Sequence, residues 1–200
     1  MNFIKNYLRE TELIVKKIDQ NKLLRIINLI LKLRKSKGRI FFLGVGGSAG
    51  NASHAVNDFR KIGKFECYAP TDNVSELTAI TNDEGWDKVF CNWLITSKLS
   101  KKDILIIFSV GGGNDKKKIS VNLIEAIKLA KKRKAKILGV VGKKNGYTAK
   151  MADECLVIPI VNLKHITPHS EAFQSVIWHL IISHPKMKIE QTKWESISAV

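Results

Sequence analysis

The sequence predicts an α/β fold: a three-layer arrangement with a parallel sheet at the centre and helices on both of its faces. Three observations carry that expectation. Residues 39–59 read R-I-F-F-L-G-V-G-G-S-A-G-N-A-S-H-A-V-N-D-F, an apolar strand, a glycine-rich turn and a resumed helical pattern. Residues 103–108 (D-I-L-I-I-F) form a second buried strand, again ending in a glycine-rich turn, S-V-G-G-G-N. Short apolar runs then go on alternating with helical-period stretches, the pattern of right-handed crossovers in a parallel sheet.

Taken in order, residues 3–19 carry a loose helical stripe of Phe3, Ile4, Leu8, Leu13, Ile14 and Ile18. Asn21 reads as the N-cap of a helix over 22–35, whose leucines and isoleucines cover much of its circumference. Such a helix needs covering on several sides, which predicts packing between subunits. A second short strand is expected at 65–69, and Ser75 is expected to open a helix. An amphipathic helix follows through Val89, Phe90, Trp93, Leu94 and Leu99. Ser120 reads as the N-cap of a helix to about Arg133. Strands are expected at 136–141 and 155–158, then a loop at 162–168. Pro168-His169 introduces a last helix to about Ser183, with Pro185 and a polar tail after it.

Bulk composition narrows the classes. With 200 residues and 44% apolar content, the chain suits one domain with a full core. No apolar run approaches the roughly 18–20 residues of a membrane span, and the N-terminus lacks a secretory pattern. Cys67, Cys91 and Cys155 are odd in number and far apart, which predicts reduced thiols and a cytoplasmic location. The net charge of +16 comes from 28 lysines and only 6 arginines, spread over helix surfaces. Arginine is what specific nucleic-acid recognition favours, and no nucleic-acid-binding motif accompanies the lysines. Neither nucleic acid nor membrane is an expected partner, while the charge favours a phosphorylated substrate.

Chemistry concentrates at the first turn. Gly44, Gly46, Gly47 and Gly50 surround Ser48, and strand–glycine turn–helix geometry brings backbone N–H groups towards an anion. The same geometry also serves as a ligand-free connection. On the helix beyond, His54 and Asp58 are four residues apart and share a face. A histidine and a carboxylate so placed are candidates for metal ligation or acid–base work.

Together, G-x-G-G-S after the first strand, Asn82-Asp83, the small-residue turn at Ser109 and a late helix with a histidine resemble the SIS (sugar isomerase) domain. Within it the likeness is to phosphoheptose isomerases, and it spans nearly the whole chain. The resemblance implies a flavodoxin-like core with N-terminal helices for assembly into a homotetramer. It divides the single domain 1–200 into an assembly region 1–37, an α/β core 38–184 and a tail 185–200.

The resemblance also implies a divalent metal, zinc by its ligand chemistry, held by His54, Asp58, Glu171 and His179. Glu171 and His179 come from T-P-H-S-E-A-F-Q-S-V-I-W-H and share a helical face at a spacing of eight. Asp58 and His179 fall on the family's proton-transfer positions. Val45, Gly46, Gly47, Ser48, Asn82, Asp83, Ser109, Val110, Gly111, Ser120 and Glu171 fall on substrate-binding positions. Asp58 stands for a glutamate, Glu171 for a glutamine and Val45 for an asparagine, and about six residues are inserted in the second turn.

The activity so implied is aldose–ketose isomerisation through an enediol(ate), converting sedoheptulose 7-phosphate to a heptose 7-phosphate. Two alternatives stand beside it: a non-catalytic SIS tetramer acting as a protein adaptor of the replication-initiator-associating type, and a sugar-phosphate sensor. Two histidines and two carboxylates on two helices favour the enzyme.

Overall fold

The apolar runs become β1 (Ile40–Leu43), β2 (Cys67–Tyr68), β3 (Ile104–Ser109), β4 (Lys136–Val141) and β5 (Glu154–Val157). In the computed structural model, which describes residues 2–197, they form one sheet of order β2-β1-β3-β4-β5 with every pair parallel. Met1 of the expected assembly region and residues 198–200 of the expected tail lie outside the described residues.

The central strands are apolar throughout because both faces are covered. Successive side chains alternate between two cores. Ile40, Phe42, Ile104, Ile106 and Phe108 enter one, with Phe59, Ile177 and Trp178. Phe41, Leu43, Leu105 and Ile107 enter the other, with Phe90, Leu94, Leu123 and Ile127. The first layer is built from α2 (Gln20–Ser36), α3 (Gly47–Lys61) and α8 (Ile166–Ser183), and the second from α5 (Val89–Thr96) and α6 (Val121–Arg133). Helices α1 (Phe3–Lys17), α4 (Val74–Glu84), α7 (Tyr147–Met151) and α9 (Lys193–Ser196) complete the order. Among the described residues no helix is long and apolar enough to cross a membrane.

Several local expectations are corrected. Helix α2 starts earlier, because Asp19 and not Asn21 accepts the Lys22 N–H at 2.9 Å. The apolar circumference of α2 is largely covered by its own chain, with Leu23, Ile26, Ile27, Ile30 and Leu33 buried; Leu24 is what points outward. Helix α4 begins at Val74 behind the cap Asn73, one residue before the expected Ser75. Strand β2 is shorter and β5 begins one residue sooner than expected. Residues 162–168 are not all loop: α8 begins at Ile166 with Pro168 in its first turn, where a missing N–H costs nothing. The polar tail carries a core residue, since Met187 is fully buried and its carbonyl accepts from Arg34 at 2.6 Å. Helix α7 is additional to the expected elements and docks on the second glycine turn as Thr148 N–H donates to the Gly112 carbonyl at 2.8 Å.

The end of the sheet opposite the glycine turns is locked by Asp103. Its carboxylate accepts from the backbone and side chain of Arg39, and from the Ser100 N–H and hydroxyl. Asp103 is 2% exposed.

Candidate active site

The order β2-β1-β3-β4-β5 reverses direction between β1 and β3, and ligands of such sheets bind outside the strand ends at that point. Both glycine-rich turns lie there, side by side. Gly46 caps α3 at φ +63°, ψ −129°, a conformation that favours glycine, and brings no capping side chain to the first-turn N–H groups. The second turn is held from within: the Ser109 hydroxyl accepts the Gly112 N–H at 2.9 Å.

Helices α3 and α8 run alongside one another in the same direction. Gly47 meets Glu171, Asn51 meets Glu171 and Gln174, His54 meets Trp178, and Asp58 meets His179. One seam thus collects the predicted residues from two distant stretches of sequence. His54, Asp58 and His179 bring one ligand atom each to within 4.8 Å of one another. Nε2 of His179 lies 3.8 Å from Oδ2 of Asp58, and the two imidazoles meet at right angles, 5.4 Å between centroids.

Neighbours on its own helix set the orientation of His179. Its Nδ1 lies 2.8 Å from the Ser175 carbonyl, one helical turn back. A carbonyl only accepts, so Nδ1 carries the proton and Nε2 is the free nitrogen, facing Asp58. Trp178, buried in the core, stacks on the ring at 3.4 Å. Ser175 and Trp178 are positioning groups beyond the expected site residues, and the i, i+4 spacing of Ser175 and His179 is the sequence signal for one of them.

Glu171 is not brought into this group. Its carboxylate lies over Gly47, where an added Cβ would stand 2.6 Å from Oε2. That is the N-terminus of α3, and the helix dipole favours an anion there. Of the four residues expected to share a metal, three converge in this structure, and Glu171 lies about two turns away at the start of α3.

The remaining predicted residues divide by location. Val45, Gly46, Gly47 and the buried Ser48 form the first turn and the entry to α3; Ser109, Val110 and Gly111 form the second. Ser120 follows at the entry to α6 in left-handed backbone (φ 50°), but its side chain makes no cap. Ser120 is thus the N-cap residue as expected, and only the capping bond is missing; nearby, Asn122 Oδ1 accepts the Leu123 N–H at 2.8 Å. The inserted residues close into a small hairpin, Asn114 and Ile119 exchanging backbone hydrogen bonds, with Lys116, Lys117 and Lys118 exposed at its tip. Asn82 and Asp83 lie on the exposed last turn of α4, where Asn82 donates to Asp83 at 2.7 Å.

The SIS domain family model matches residues 3–142. A phosphoheptose isomerase of Aliarcobacter butzleri is 31% identical over 185 residues, covering 89% of this chain and 94% of its own length. One from Sulfurimonas denitrificans is also 31% identical, over 89% of this chain and 86% of its own. Among solved structures, a phosphoheptose isomerase from Neisseria gonorrhoeae superposes with a TM-score of 0.76 at 26% identity, over 89% of this chain and 92% of its own. Sheet order, turn placement and these likenesses agree: the chain belongs to the SIS domain family and is a homologue of the phosphoheptose isomerases.

Proposed function

We propose that the protein is a phosphosugar aldose–ketose isomerase that converts sedoheptulose 7-phosphate to D-glycero-D-manno-heptose 7-phosphate through an enediol(ate). The observation that carries the reading is the convergence of His54, Asp58 and His179 at the α3–α8 seam, beside two adjacent glycine turns. The isomerase names of the relatives support it.

The donor set suits a borderline-soft divalent cation, since two imidazoles and a carboxylate lie close enough to share one ion and His179 presents a free Nε2. Zinc held by His54, Asp58 and His179 supplies Lewis-acid polarisation of the sugar's oxygens when bound. Glu171 would join the set only by leaving the α3 N-terminus.

Isomerisation moves one proton between adjacent carbons, so it needs a group that accepts at one carbon and returns at the next. The Asp58 carboxylate and the His179 Nε2, 3.8 Å apart, are the two groups able to do so; one nitrogen lone pair cannot hold a metal and a proton at once, so with metal on His179 the acceptor would be Asp58, through its second oxygen. Ser175 keeps His179 in the tautomer whose Nε2 can accept a proton. With Glu171 displaced, the first N–H groups of α3 and the hydroxyls of Ser48, Ser109 and Ser120 take the phosphate, and the exposed lysines 116–118 draw the anion in.

Assembly as a homotetramer is part of the proposal. A groove of about 360 Å³ between α2 and α8 is lined by Val15, Leu24, Val176 and Leu180, all exposed in the protomer, and His179 lies on the helix that flanks it. The reading also places the enzyme in the cytoplasm, in keeping with three free cysteines.

The test is an assay of chelator-treated and zinc-loaded protein with a panel of C6 and C7 ketose phosphates. Zinc-dependent conversion of the C7 substrate is expected. Equal rates without metal, or no conversion of any sugar, would overturn the reading.

A further inference from the structure

A second group of metal-ligating side chains converges where α1 meets the start of α8. Oε2 of Glu10 lies 2.8 Å from Nδ1 of His165 and 2.8 Å from Nε2 of His169. The three ligand atoms lie within 4.8 Å of one another. This group is better enclosed than the α3–α8 site: the side chain of His169 is 5% exposed and that of Glu10 15%, against 45% for His179. We propose that Glu10, His165 and His169 form a second divalent-metal site, suited to zinc, that fastens α1 to the start of α8.

The surroundings are arranged as the outer shell of such a site. Asn162 Nδ2 donates to Glu10 Oε1 at 2.7 Å, which leaves Oε2 turned to the histidines. The amide of Asn162 is itself set, because its Oδ1 accepts the Lys164 N–H at 3.0 Å. Tyr7 stacks on His169 at 4.5 Å, and Phe3 packs edge-on to His165 at 5.8 Å, fixing both rings within an aromatic wall.

The fit to an ion is close. Donors around tetrahedral zinc stand about 3.3 Å apart, so each nitrogen–oxygen pair needs to open by only about half an ångström. Each imidazole then carries its proton on the other ring nitrogen. His165 is the N-cap residue of α8 and His169 lies in its first turn, so the two rings stand close together, and the carboxylate comes from another element. Helix α1 has reason to need the link: Ile14 is its one buried residue among those described.

The experiment uses the full chain, stripped with chelator, incubated with zinc chloride and desalted, with zinc counted by elemental analysis. The His54→Ala/His179→Ala variant removes the α3–α8 ligands, so any zinc it keeps belongs here. One zinc per chain is expected in that variant, together with a rise in Tm on adding zinc. Both should vanish when Glu10→Gln is added, a change that keeps the side chain's shape and its bond from Asn162. Cobalt(II) in the double variant should give the strong visible absorption of a tetrahedral site. The proposal is overturned if the double variant binds no zinc, or keeps it after Glu10→Gln and His169→Asn together; the cluster is then a hydrogen-bonded clamp only. A wild type that holds one zinc, retained in the double variant, would sink the α3–α8 metal and leave this site standing.

Discussion

Nδ1 of His179 lies 2.8 Å from the main-chain carbonyl of Ser175, and this one bond decides which nitrogen of His179 faces Asp58. Because the acceptor is backbone, Ser175→Ala leaves it in place and removes only the hydroxyl 3.3 Å away. That variant should keep turnover within a few-fold. His179→Ala should lose turnover by a factor of about 10² to 10⁴, the range for removing a general acid or base. Asp58→Asn should fold normally, lose comparable turnover and hold zinc less tightly. Asp58→Glu tests whether the seam is tuned to the shorter acid, in which case activity falls despite the retained charge. Steady-state kcat and KM with zinc analysis check all four.

The carboxylate of Glu171 over Gly47 makes a charge prediction. It occupies the position at the α3 N-terminus where a substrate phosphate is expected, so it should compete with it. Glu171→Gln removes the charge and should tighten inorganic phosphate binding by about fivefold, equivalent to about 1 kcal/mol. Gly47→Ala drives a Cβ against that same carboxylate. The fold should survive, because the obstructing atoms end a flexible side chain, but Glu171 must move. Calorimetric titration with phosphate checks both, and unchanged affinity in Glu171→Gln removes the anion-site reading.

Asp103 makes a pH prediction. Burial raises its pKa, but the bonds from Arg39 and Ser100 outweigh burial and hold it below the ordinary 3.8. A carboxyl depressed on folding contributes stability above its unfolded value, and that contribution is lost as pH falls through the folded one. Wild-type stability should therefore decline below about pH 4, with a shallower decline in Asp103→Asn. At neutral pH the variant should be less stable by about 2 kcal/mol, the range for losing charge-assisted hydrogen bonds, while Arg39 keeps its bonds to the carbonyls of Ser97 and Lys98. Urea unfolding at several pH values checks both statements.

Ile27 and Leu24 separate folding from assembly. Ile27 is 3% exposed in the protomer and packs in the core under the sheet. Ile27→Lys should unfold the chain, because a lone charge has no partner there. Leu24 is 52% exposed and Leu180 44%. Leu24→Lys with Leu180→Lys should keep the circular dichroism of the fold and dissociate the proposed tetramer, read by light scattering.

Some of this architecture was legible in the sequence for a local reason. A strand buried on both faces must be apolar at every position, so Ile104 to Phe108 announced itself. A close approach of backbone requires glycine, so residues 46 and 47 marked the turn. One helix repeats its face every four residues, so His54 with Asp58 could be paired before any fold was known, and Glu171 with His179 likewise. What lay beyond reach was each relation between separate elements. Glu171 shares a face with His179, yet its carboxylate is drawn to the α3 N-terminus, and only the packing of α8 against α3 decided that. Whether the apolar girth of α2 belonged to the core or to an interface depended on how much of it the chain's own sheet covers. His165 was expected in a loop, His169 on the last helix and Glu10 on the first, and only the fold brings the three together. Helical periodicity is set by neighbouring bonds, whereas the meeting of α1 with α8 is set by the packing of the whole chain.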